Sequence, residues 1–362
     1  MVDLLAAALF LISIPYWAVF LAGLTPLKEI HPKLKKYPSV SVVVPARNEE
    51  KTIEKTLRSV RKSRYPGRME IIVVDANSSD RTAKIVRKYA DRIIIEKNPR
   101  GKPAALNRAI KSARHEVIYI LDADSTIGKN TIRDVTGSMH GYAGSSGINL
   151  PGMPTTLTTL VGRIENMFML STNIFCSKVM DTCLATGKNF AVRKDVLRKL
   201  GGFRDALTED INLSIRLYEA GYKLRMVPVY AEESIPPRFS WYMKQQKRWH
   251  AGSVSELLLS ARTLGSRRLT IFPIFVIIVS SPVVFFLFVL LSFIFSTTLP
   301  LILIMPILLL TVSTAARYLS AKDAALAPAT FFVFGFIQFV LSVWSSWRIL
   351  SGRNISWQKT PK

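Results

Sequence analysis

Acidic side chains stand at the ends of two short apolar runs in this 362-residue chain. Asp75 follows Ile71–Val74, and Asp122 and Asp124 follow Val117–Leu121. Two carboxylates two residues apart can hold a hard divalent ion, with a diphosphate completing its coordination shell. An Asp-Ala-Asp triplet by itself is more typical of a solvated turn than of a metal site, so its interpretation depends on the other residues that accompany it.

A second acidic pair, Glu209 and Asp210, follows Thr208 where a helix is predicted to begin. In-line displacement at an anomeric carbon requires a base on the face opposite the leaving group, and a carboxylate can serve. The simpler alternative is that both residues favour a helix N-terminus electrostatically. The pair therefore indicates acid–base chemistry only in combination with a binding site for the leaving group.

Gln245, Arg248 and Trp249 have the i, i+3, i+4 spacing that places them on one face of a helix. The guanidinium fork of arginine suits a diphosphate, and it would stabilise negative charge as that charge develops on the leaving group. Aromatic residues such as Phe239 mixed with lysines such as Lys244 are also typical of an amphipathic helix at a membrane surface. Both interpretations can hold together.

The elements that must position these residues alternate between strand and helix from residue 40 to residue 140. Strands are predicted near 41–44, 70–74, 92–95 and 117–121, and helices over 49–63 (capped by Asn48), 79–89 and 102–113. This alternation predicts an α/β domain with a mostly parallel sheet and helices on both faces. In such sheets ligands bind at the carboxyl ends of the strands, where the acidic residues fall.

The chain contains neither a GxGxxG nor a GxxxxGK[ST] pattern, so the common dinucleotide and P-loop motifs do not account for the site. Six motifs do follow one another in order. They are Pro45-Ala46-Arg47-Asn48-Glu49, Val73-Val74-Asp75, Gly101-Lys102 with Asn107, Asp122-Ala123-Asp124, Thr208-Glu209-Asp210 and Gln245-Gln246-Lys247-Arg248-Trp249. Over about residues 40–252 the chain resembles the membrane branch of the family 2 glycosyltransferases. That branch includes cellulose, hyaluronan and chitin synthases and ceramide glucosyltransferases.

This resemblance implies a GT-A-like fold that binds a nucleotide sugar, direct inverting transfer, and a role for each motif. Asp210 would be the general base, assisted by Glu209, and Asp124 with Asp122 would hold a Mn or Mg ion. The implied donor-binding residues are Pro45, Arg47, Glu49, Asp75, Lys102, Asn107, Asp122 and Arg248, and the implied acceptor residues are Gly187, Gln245 and Trp249. Lys188 departs from the Gly-Thr or Gly-Ser of the family, which leaves the acceptor open.

Three blocks, Leu4–Leu27, Leu269–Ala316 and Ala324–Trp347, contain no charged residue and are long enough for about four membrane spans. The predicted organisation is a spanning helix at 1–27, a glycosyltransferase domain at 28–268, about three spanning helices at 269–350 and a tail at 351–362. Interfacial helices are expected near 155–180 and 238–264. Because basic residues flank the first and second spans, residues 28–268 are predicted to be cytoplasmic and the protein a multi-pass cell-membrane protein.

The net charge of +24 favours anionic partners. The basic residues are dispersed and no nucleic-acid motif is present, so we expect a UDP- or GDP-sugar and the lipid bilayer, and no nucleic acid, as partners. Two cysteines, Cys176 and Cys183, provide no disulfide framework.

Two acceptors remain open within this function. One is a membrane lipid or lipid-linked acceptor that receives a single sugar, which four spans favour slightly. The other is a growing β-linked polysaccharide, as in cellulose, hyaluronan and chitin synthases. Polyprenyl-phosphate sugar synthases are a third option that typically lacks QxxRW. A sugar-nucleotide pyrophosphorylase is the alternative from another class, but it requires a Gly/Arg-rich loop after the first strand.

Overall fold

The computed structural model describes residues 34–262 and 320–351, together with Ile14, Trp17, Leu21, Leu27, Pro32 and Leu309. The chain divides into two compact units. The sheet unit comprises residues 27–152 and 180–234, and the helical unit comprises residues 1–26, 153–179 and 235–362.

The described strands all belong to the sheet unit. They are β1 (Val40–Ala46), β2 (Met69–Asp75), β3 (Arg92–Ile95), β4 (Val117–Ile120), β5 (Thr126–Ile127), β6 (Gly144–Pro151), β7 (Phe190–Arg193) and β8 (Leu224–Glu233). The described helices are α1 (Ile53–Arg61), α2 (Thr82–Val86), α3 (Lys102–Ser112), α4 (Thr131–Gly137), α5 (Leu157–Val179), α6 (Lys194–Lys199), α7 (Glu209–Glu219), α8 (Phe239–Arg262) and α9 (Ala321–Leu350). Helices α5, α8 and α9 belong to the helical unit.

The strands form a mixed sheet in the order β3-β2-β1-β4-β7-β6-β8-β5. The predicted parallel arrangement holds for β3, β2, β1 and β4, and β6 also pairs parallel with β8. Strand β7 runs antiparallel to both β4 and β6, and β5 runs antiparallel to β8. The α/β class is confirmed, but the second half of the sheet is mixed, because a buried apolar run does not encode the direction of its neighbour.

Two predicted helix starts are wrong. Helix α1 begins at Ile53 after Thr52, and not at Glu49, because Asn48 has a left-handed backbone (φ 52°) and cannot cap it. The Asn48 side chain instead accepts a hydrogen bond from the Ser79 amide at 2.9 Å, which joins the loops after β1 and β2. Helix α2 is only five residues long and begins at Thr82, because Ser79 belongs to this loop contact.

The central strand β1 lies between β2 and β4, with its valines fully buried. Strands covered on both faces read as continuous apolar runs, which explains why the sequence predicted them well. Strands β2 and β3 follow on one side of β1, and β4 lies on the other. The strand order therefore reverses at β1, and such a reversal places a ligand crevice at the carboxyl ends of these strands.

Asn189 joins the two halves of the sheet. It is fully buried, with φ 53°, and it accepts a hydrogen bond from the Tyr119 hydroxyl on β4 at 2.5 Å. Its amide nitrogen donates to the carbonyls of Ile148 on β6 and Val229 on β8, each at 3.2 Å. A Cβ at Gly147 would lie 2.2 Å from this side chain, so glycine at 147 leaves the space that Asn189 fills.

Long helices lie at the two positions where interfacial helices were expected. Helix α5 covers 157–179 and α8 covers 239–262. Of the predicted spans, those at 4–27 and 269–316 lie outside the continuously described residues. Within the described part of the chain, the segment Ala329–Arg348 of α9 has the length and composition needed to cross a membrane.

One face of α9 is an exposed apolar stripe. Its exposed large residues recur at helical spacing and are Leu326, Val333, Phe336, Val340, Val343 and Trp347. The opposite face, which includes Phe331, Phe334 and Leu341, is buried.

Replacing Asn189 with alanine should lower the free energy of unfolding by at least about 2 kcal/mol. The reason is that three buried hydrogen-bonding groups on β4, β6 and β8 would lose their partner. Thermal unfolding of the detergent-solubilised chain measures the change. Asn130→Ala is the matched control, because Asn130 is exposed and its side chain makes no capping bond. Equal melting temperatures for the two variants would contradict the role of Asn189.

Candidate active site

Lys102 joins the DxD segment to the acidic start of α7. Its ammonium lies 2.8 Å from Asp122 Oδ1 and 3.1 Å from Glu209 Oε1. It also donates a hydrogen bond to the Gly187 carbonyl oxygen at 3.3 Å. Gly187 and Glu209, which are distant from Lys102 in the sequence, are thereby held near Asp122 at the carboxyl end of β4. The sequence predicted each of these four residues as a site residue, and the structure brings them together.

The charge on Lys102 is stabilised by these neighbours. Burial lowers the pKa of Lys102, but the carboxylates of Asp122, Glu209 and Asp210 more than offset this effect, so the pKa lies well above its ordinary value. Lys102 therefore stays protonated at any physiological pH. A fixed cation among carboxylates at a strand end can bind a diphosphate as a point charge.

Asp210 lies against Gly187. A Cβ built on Gly187 would be 2.6 Å from Asp210 Oδ2, and the glycine has φ 65°, which side-chain-bearing residues rarely adopt. Ser214, one turn along α7, fixes this arrangement. Its hydroxyl donates to the Asp210 carbonyl at 2.7 Å and accepts from the Ala185 amide at 2.8 Å. The loop that carries Gly187 is thus attached to the helix that carries Asp210.

The protonation of Asp210 is suited to acid–base chemistry. Burial and the neighbouring Glu209 carboxylate raise its pKa to about 6, against the opposing influence of Lys102. A carboxylate with this pKa is ionised at neutral pH and is a stronger base than an ordinary aspartate. The Ile211 amide donates to Asp210 Oδ1 at 2.9 Å, which fixes the orientation of the carboxyl group.

Asp124 is buried beside α1, and a hydrogen bond from the Thr56 hydroxyl to the Ala123 carbonyl at 2.8 Å holds its loop in place. Asp124 lines a pocket together with Lys51, Lys55 and Glu232. Within the residues that the structure describes, no three His, Cys, Asp or Glu side chains form a complete metal site. Asp122 and Asp124 nevertheless fit a Mn or Mg ion, because such ions take one or two carboxylates and obtain further oxygens from substrate phosphates.

Asp75 ends β2 and is buried, and its Oδ1 accepts hydrogen bonds from the amide and hydroxyl of Ser78. It lies one strand away from Arg47 and Glu49, which follow β1. Arg47 is exposed, whereas Pro45 and Glu49 are partly buried. All four predicted donor-binding residues therefore lie at the same edge of the sheet as Asp122.

Asn107 has a structural position. Its amide donates to the Phe203 carbonyl at 2.7 Å and its Oδ1 accepts from the Phe203 amide at 2.8 Å. Both polar atoms thus bind backbone at residue 203. The predicted donor-binding role of Asn107 is best understood as support of the helix that begins with Lys102.

Sequence reasoning missed three residues that build the site, namely Ser214, Asn189 and Glu233. The last of these forms an ion pair with Lys188, the residue that departs from the family pattern. None of the three could be found from local spacing, because each acts on a segment that is distant in sequence. Gln245, Arg248 and Trp249 lie on α8 of the helical unit and are partly buried, and their predicted roles toward donor and acceptor stay predictions.

Comparison with known families agrees with this geometry. Residues 41–201 match the family model described as Glycosyl transferase family 2. The matched segment runs from β1 to the end of α6 and covers less than half of the chain. This match supports the predicted domain type and the prediction of a glycosyltransferase enzyme.

The relatives are of the same kind. The protein named Probable glycosyltransferase YdaM, from Bacillus subtilis (strain 168), is 34% identical over 236 residues, covering 61% of this chain and 56% of that protein. The poly-β-1,6-N-acetyl-D-glucosamine synthase of Staphylococcus aureus (strain COL) is 26% identical over 283 residues, covering 72% of this chain and 67% of that protein. The chain thus spans between about half and two thirds of the length of these curated relatives.

A solved structure shares the fold. The mannosyltransferase PcManGT from Pyrobaculum calidifontis, determined with GDP-Man and Mn²⁺, matches with a TM-score of 0.67. The match covers 96% of this chain and 99% of that chain at 21% sequence identity. This likeness supports the predicted GT-A-like fold.

Replacing Gly187 with alanine should lower kcat by about 100-fold, because the new methyl group would displace the Asp210 carboxylate, and small misplacements of a reacting group cost this much. Steady-state release of nucleoside diphosphate measures the change. Gly141→Ala is the control, since Gly141 also has a positive φ (80°) but its Cβ would meet nothing within 4 Å. Equal activity of the two variants would show that Gly187 does not position Asp210.

Proposed function

We propose that the chain is a membrane-attached hexosyltransferase that moves a sugar, with inversion, from a UDP- or GDP-sugar to a membrane lipid or lipid-linked acceptor. The observation that carries the proposal is the cluster around Lys102. It joins Asp122 of the DxD segment, Glu209 and the Gly187 loop beside a carboxylate whose pKa is about 6.

The donor would bind at the carboxyl ends of β1, β2 and β4. Asp75, Arg47 and Glu49 would contact the nucleoside, and Lys102 would bind the diphosphate. A nucleotide-sugar donor is supported by the similar protein PcManGT, which was solved with GDP-Man. Arg248, by its motif, would bind the diphosphate as negative charge develops on it.

The transfer step would use Asp210 as base. Its carboxylate would take the proton from the acceptor hydroxyl while that oxygen attacks the anomeric carbon. The bond to the diphosphate breaks on the opposite face, which inverts the configuration. Lys102 offsets part of the negative charge on the leaving diphosphate, and Glu209 keeps Lys102 in place.

A Mn or Mg ion would be held by Asp124 and Asp122 together with the donor phosphates. When bound, it would neutralise charge on the diphosphate. The Mn²⁺ in the PcManGT structure supports a divalent ion for this chain without deciding between the two metals.

Membrane attachment is supported by α9. Its exposed apolar stripe and the length of Ala329–Arg348 suit one membrane span. We propose in addition that the chain crosses the membrane several times and that its catalytic domain is cytoplasmic. The bilayer would hold the acceptor close to the site.

The second candidate function is synthesis of a β-linked polysaccharide. The observation in its favour is the likeness to a poly-β-1,6-N-acetyl-D-glucosamine synthase over 72% of this chain. Both functions would use the same donor site and the same base. They differ only in the acceptor and in the number of sugars added before release.

Membranes that contain the full chain should be supplied with radiolabelled UDP- and GDP-sugars, and the products separated by thin-layer chromatography and by size. Labelled glycolipid would support the first proposal, and labelled polymer would support the second. Exchange of pyrophosphate into the nucleotide sugar, without glycosyl transfer, would contradict both.

The dependence of kcat/KM on pH should report Asp210. A general base must be ionised, so kcat/KM should fall tenfold for each pH unit below about 6 and stay level above it.

Asp210→Asn should lower turnover by about 100-fold or more and leave donor binding in place. Asp205→Asn, at a nearby exposed aspartate, serves as the control. Unchanged turnover in Asp210→Asn would rule out the assigned base.

Asp124→Ala should abolish the part of donor binding that depends on a divalent ion, because one of the two carboxylate ligands is lost. Isothermal titration with UDP and GDP, in the presence and absence of Mn²⁺, measures this directly. Asp205→Ala is the matched control. If Asp124→Ala keeps the Mn²⁺-dependent Kd of the wild type, Asp124 is not a metal ligand.

A further inference from the structure

The helical unit contains a chain of buried polar side chains that the site described above does not use. Helix α8 contributes Tyr242, Gln246 and His250, α5 contributes Glu165, and α9 contributes Gln338. We call these five residues the polar clamp. Tyr242, Gln246, His250 and Gln338 are each buried to more than nine tenths, and Gln246 has no exposed surface.

The hydrogen bonds of the polar clamp run in one direction. His250 Nε2 contacts Gln338 Oε1, and Gln338 Nε2 donates to Gln246 Oε1 at 3.0 Å. Gln246 Nε2 then donates to Glu165 Oε2 at 2.6 Å, and the Tyr242 hydroxyl donates to the same oxygen at 3.0 Å. Each amide uses its oxygen as acceptor and its nitrogen as donor, and the series ends on a carboxyl group that accepts two bonds.

Protonation is consistent with this direction. Burial lowers the pKa of His250 to about 4, so its ring is neutral at physiological pH and can donate through one nitrogen. Burial raises the pKa of Glu165 to about 7, against the opposing influence of its bonds from Tyr242 and Gln246. Its carboxyl oxygen can accept both bonds whether or not the group is protonated.

These contacts fix the rotation of α8 about its own axis. Tyr242, Gln246 and His250 have i, i+4, i+8 spacing and so form one stripe, which is bonded to both neighbouring helices. Apolar packing tolerates small rotations of a helix, whereas buried hydrogen bonds tolerate them poorly, because each broken bond leaves polar groups unsatisfied. The contact of Lys247 with the Trp344 ring, at 5.5 Å, also joins α8 to α9.

The motif residues Gln245, Arg248 and Trp249 lie on the same helix, beside the stripe of clamp residues. Gln245 and Trp249 are each displaced by about 100° around the helix from the clamp residue that follows them, Gln246 and His250 respectively. Arg248 lies on the side of α8 that faces away from Gln246. Any rotation of α8 would therefore swing all three motif side chains together.

We propose that the polar clamp is a positioning device that sets the direction of Gln245, Arg248 and Trp249 by holding α8 against α5 and α9. The inference rests on the proposed function, since it assigns the clamp no chemistry of its own. Glu165 and Gln246 would affect the transfer reaction only through the position of Arg248.

A double-mutant cycle tests this dependence. Gln246→Leu removes the central member, and we expect kcat to fall about tenfold while the Kd for the donor stays within twofold. In an Arg248→Ala background the same change should lower kcat by less than threefold, because the side chain that it misplaces is already absent. A full tenfold further loss, or no loss in the single variant, would overturn the proposal.

Conservative variants separate positioning from folding. Glu165→Gln keeps an acceptor oxygen and should retain kcat within threefold, whereas Glu165→Leu should lose about tenfold. Equal losses in the two would overturn the role of the hydrogen bonds. If Gln246→Leu fails to fold, Tyr242→Phe replaces it in the double-mutant cycle, because this change removes one hydroxyl with little change in packing. Ser342→Ala, at a buried serine of α9 outside the clamp, is the control.

Failure of this inference is distinguishable from failure of the proposed function. If the wild-type chain transfers no sugar, or if Asp210→Asn is fully active, the proposed function is wrong and the inference fails with it. If the wild type is active, Asp210→Asn is inactive and the losses in the cycle multiply, only the polar clamp is wrong.

Discussion

The interaction on which the candidate site depends is the attachment of one lysine to carboxylates from distant segments. Lys102 lies at the start of α3, Asp122 after β4, and Glu209 at the start of α7. Without the ammonium group, Asp122, Glu209 and Asp210 would repel one another in partly buried positions. With it, one carboxylate can remain a base of moderate strength beside a place that can receive a diphosphate. Charge balance therefore explains the assembly of the site, and burial together with the neighbouring charges sets the pKa of Asp210.

The sheet provides the geometry that this charge balance requires. Parallel strands β1, β2 and β4 end at one edge of the sheet, so the acidic residues that follow them lie at that edge without any special local structure. The mixed half of the sheet has a different function. Through Asn189 it holds the segment next to Gly187 against β4, and through Ser214 that loop is attached to α7. The donor side of the site is thus set by strand order, whereas the base is set by a few buried polar contacts.

The helical unit follows a similar principle. Apolar side chains on the exposed stripe of α9 suit lipid, but they give no preferred rotation to the helices packed behind them. Buried amide and carboxyl groups supply that preference, because an unsatisfied polar group is costly where water is excluded. A transferase that acts at a bilayer would need both features, since the apolar surface locates the protein and the polar contacts orient its side chains.

Continuous apolar runs and strand-end aspartates determined, from the sequence alone, the α/β class, the position of strands β1 to β4 and the grouping of Asp75, Asp122 and Asp124 at one edge. The order of the motifs indicated the glycosyltransferase domain. Only the tertiary structure decided the antiparallel pairing of β7, the true start of α1, the backbone-binding role of Asn107 and the contacts of Lys188, Asn189, Ser214 and Glu165. The physical reason is that strand ends and periodicity are local properties, whereas a buried ion pair or amide contact depends on which distant segments the fold brings together.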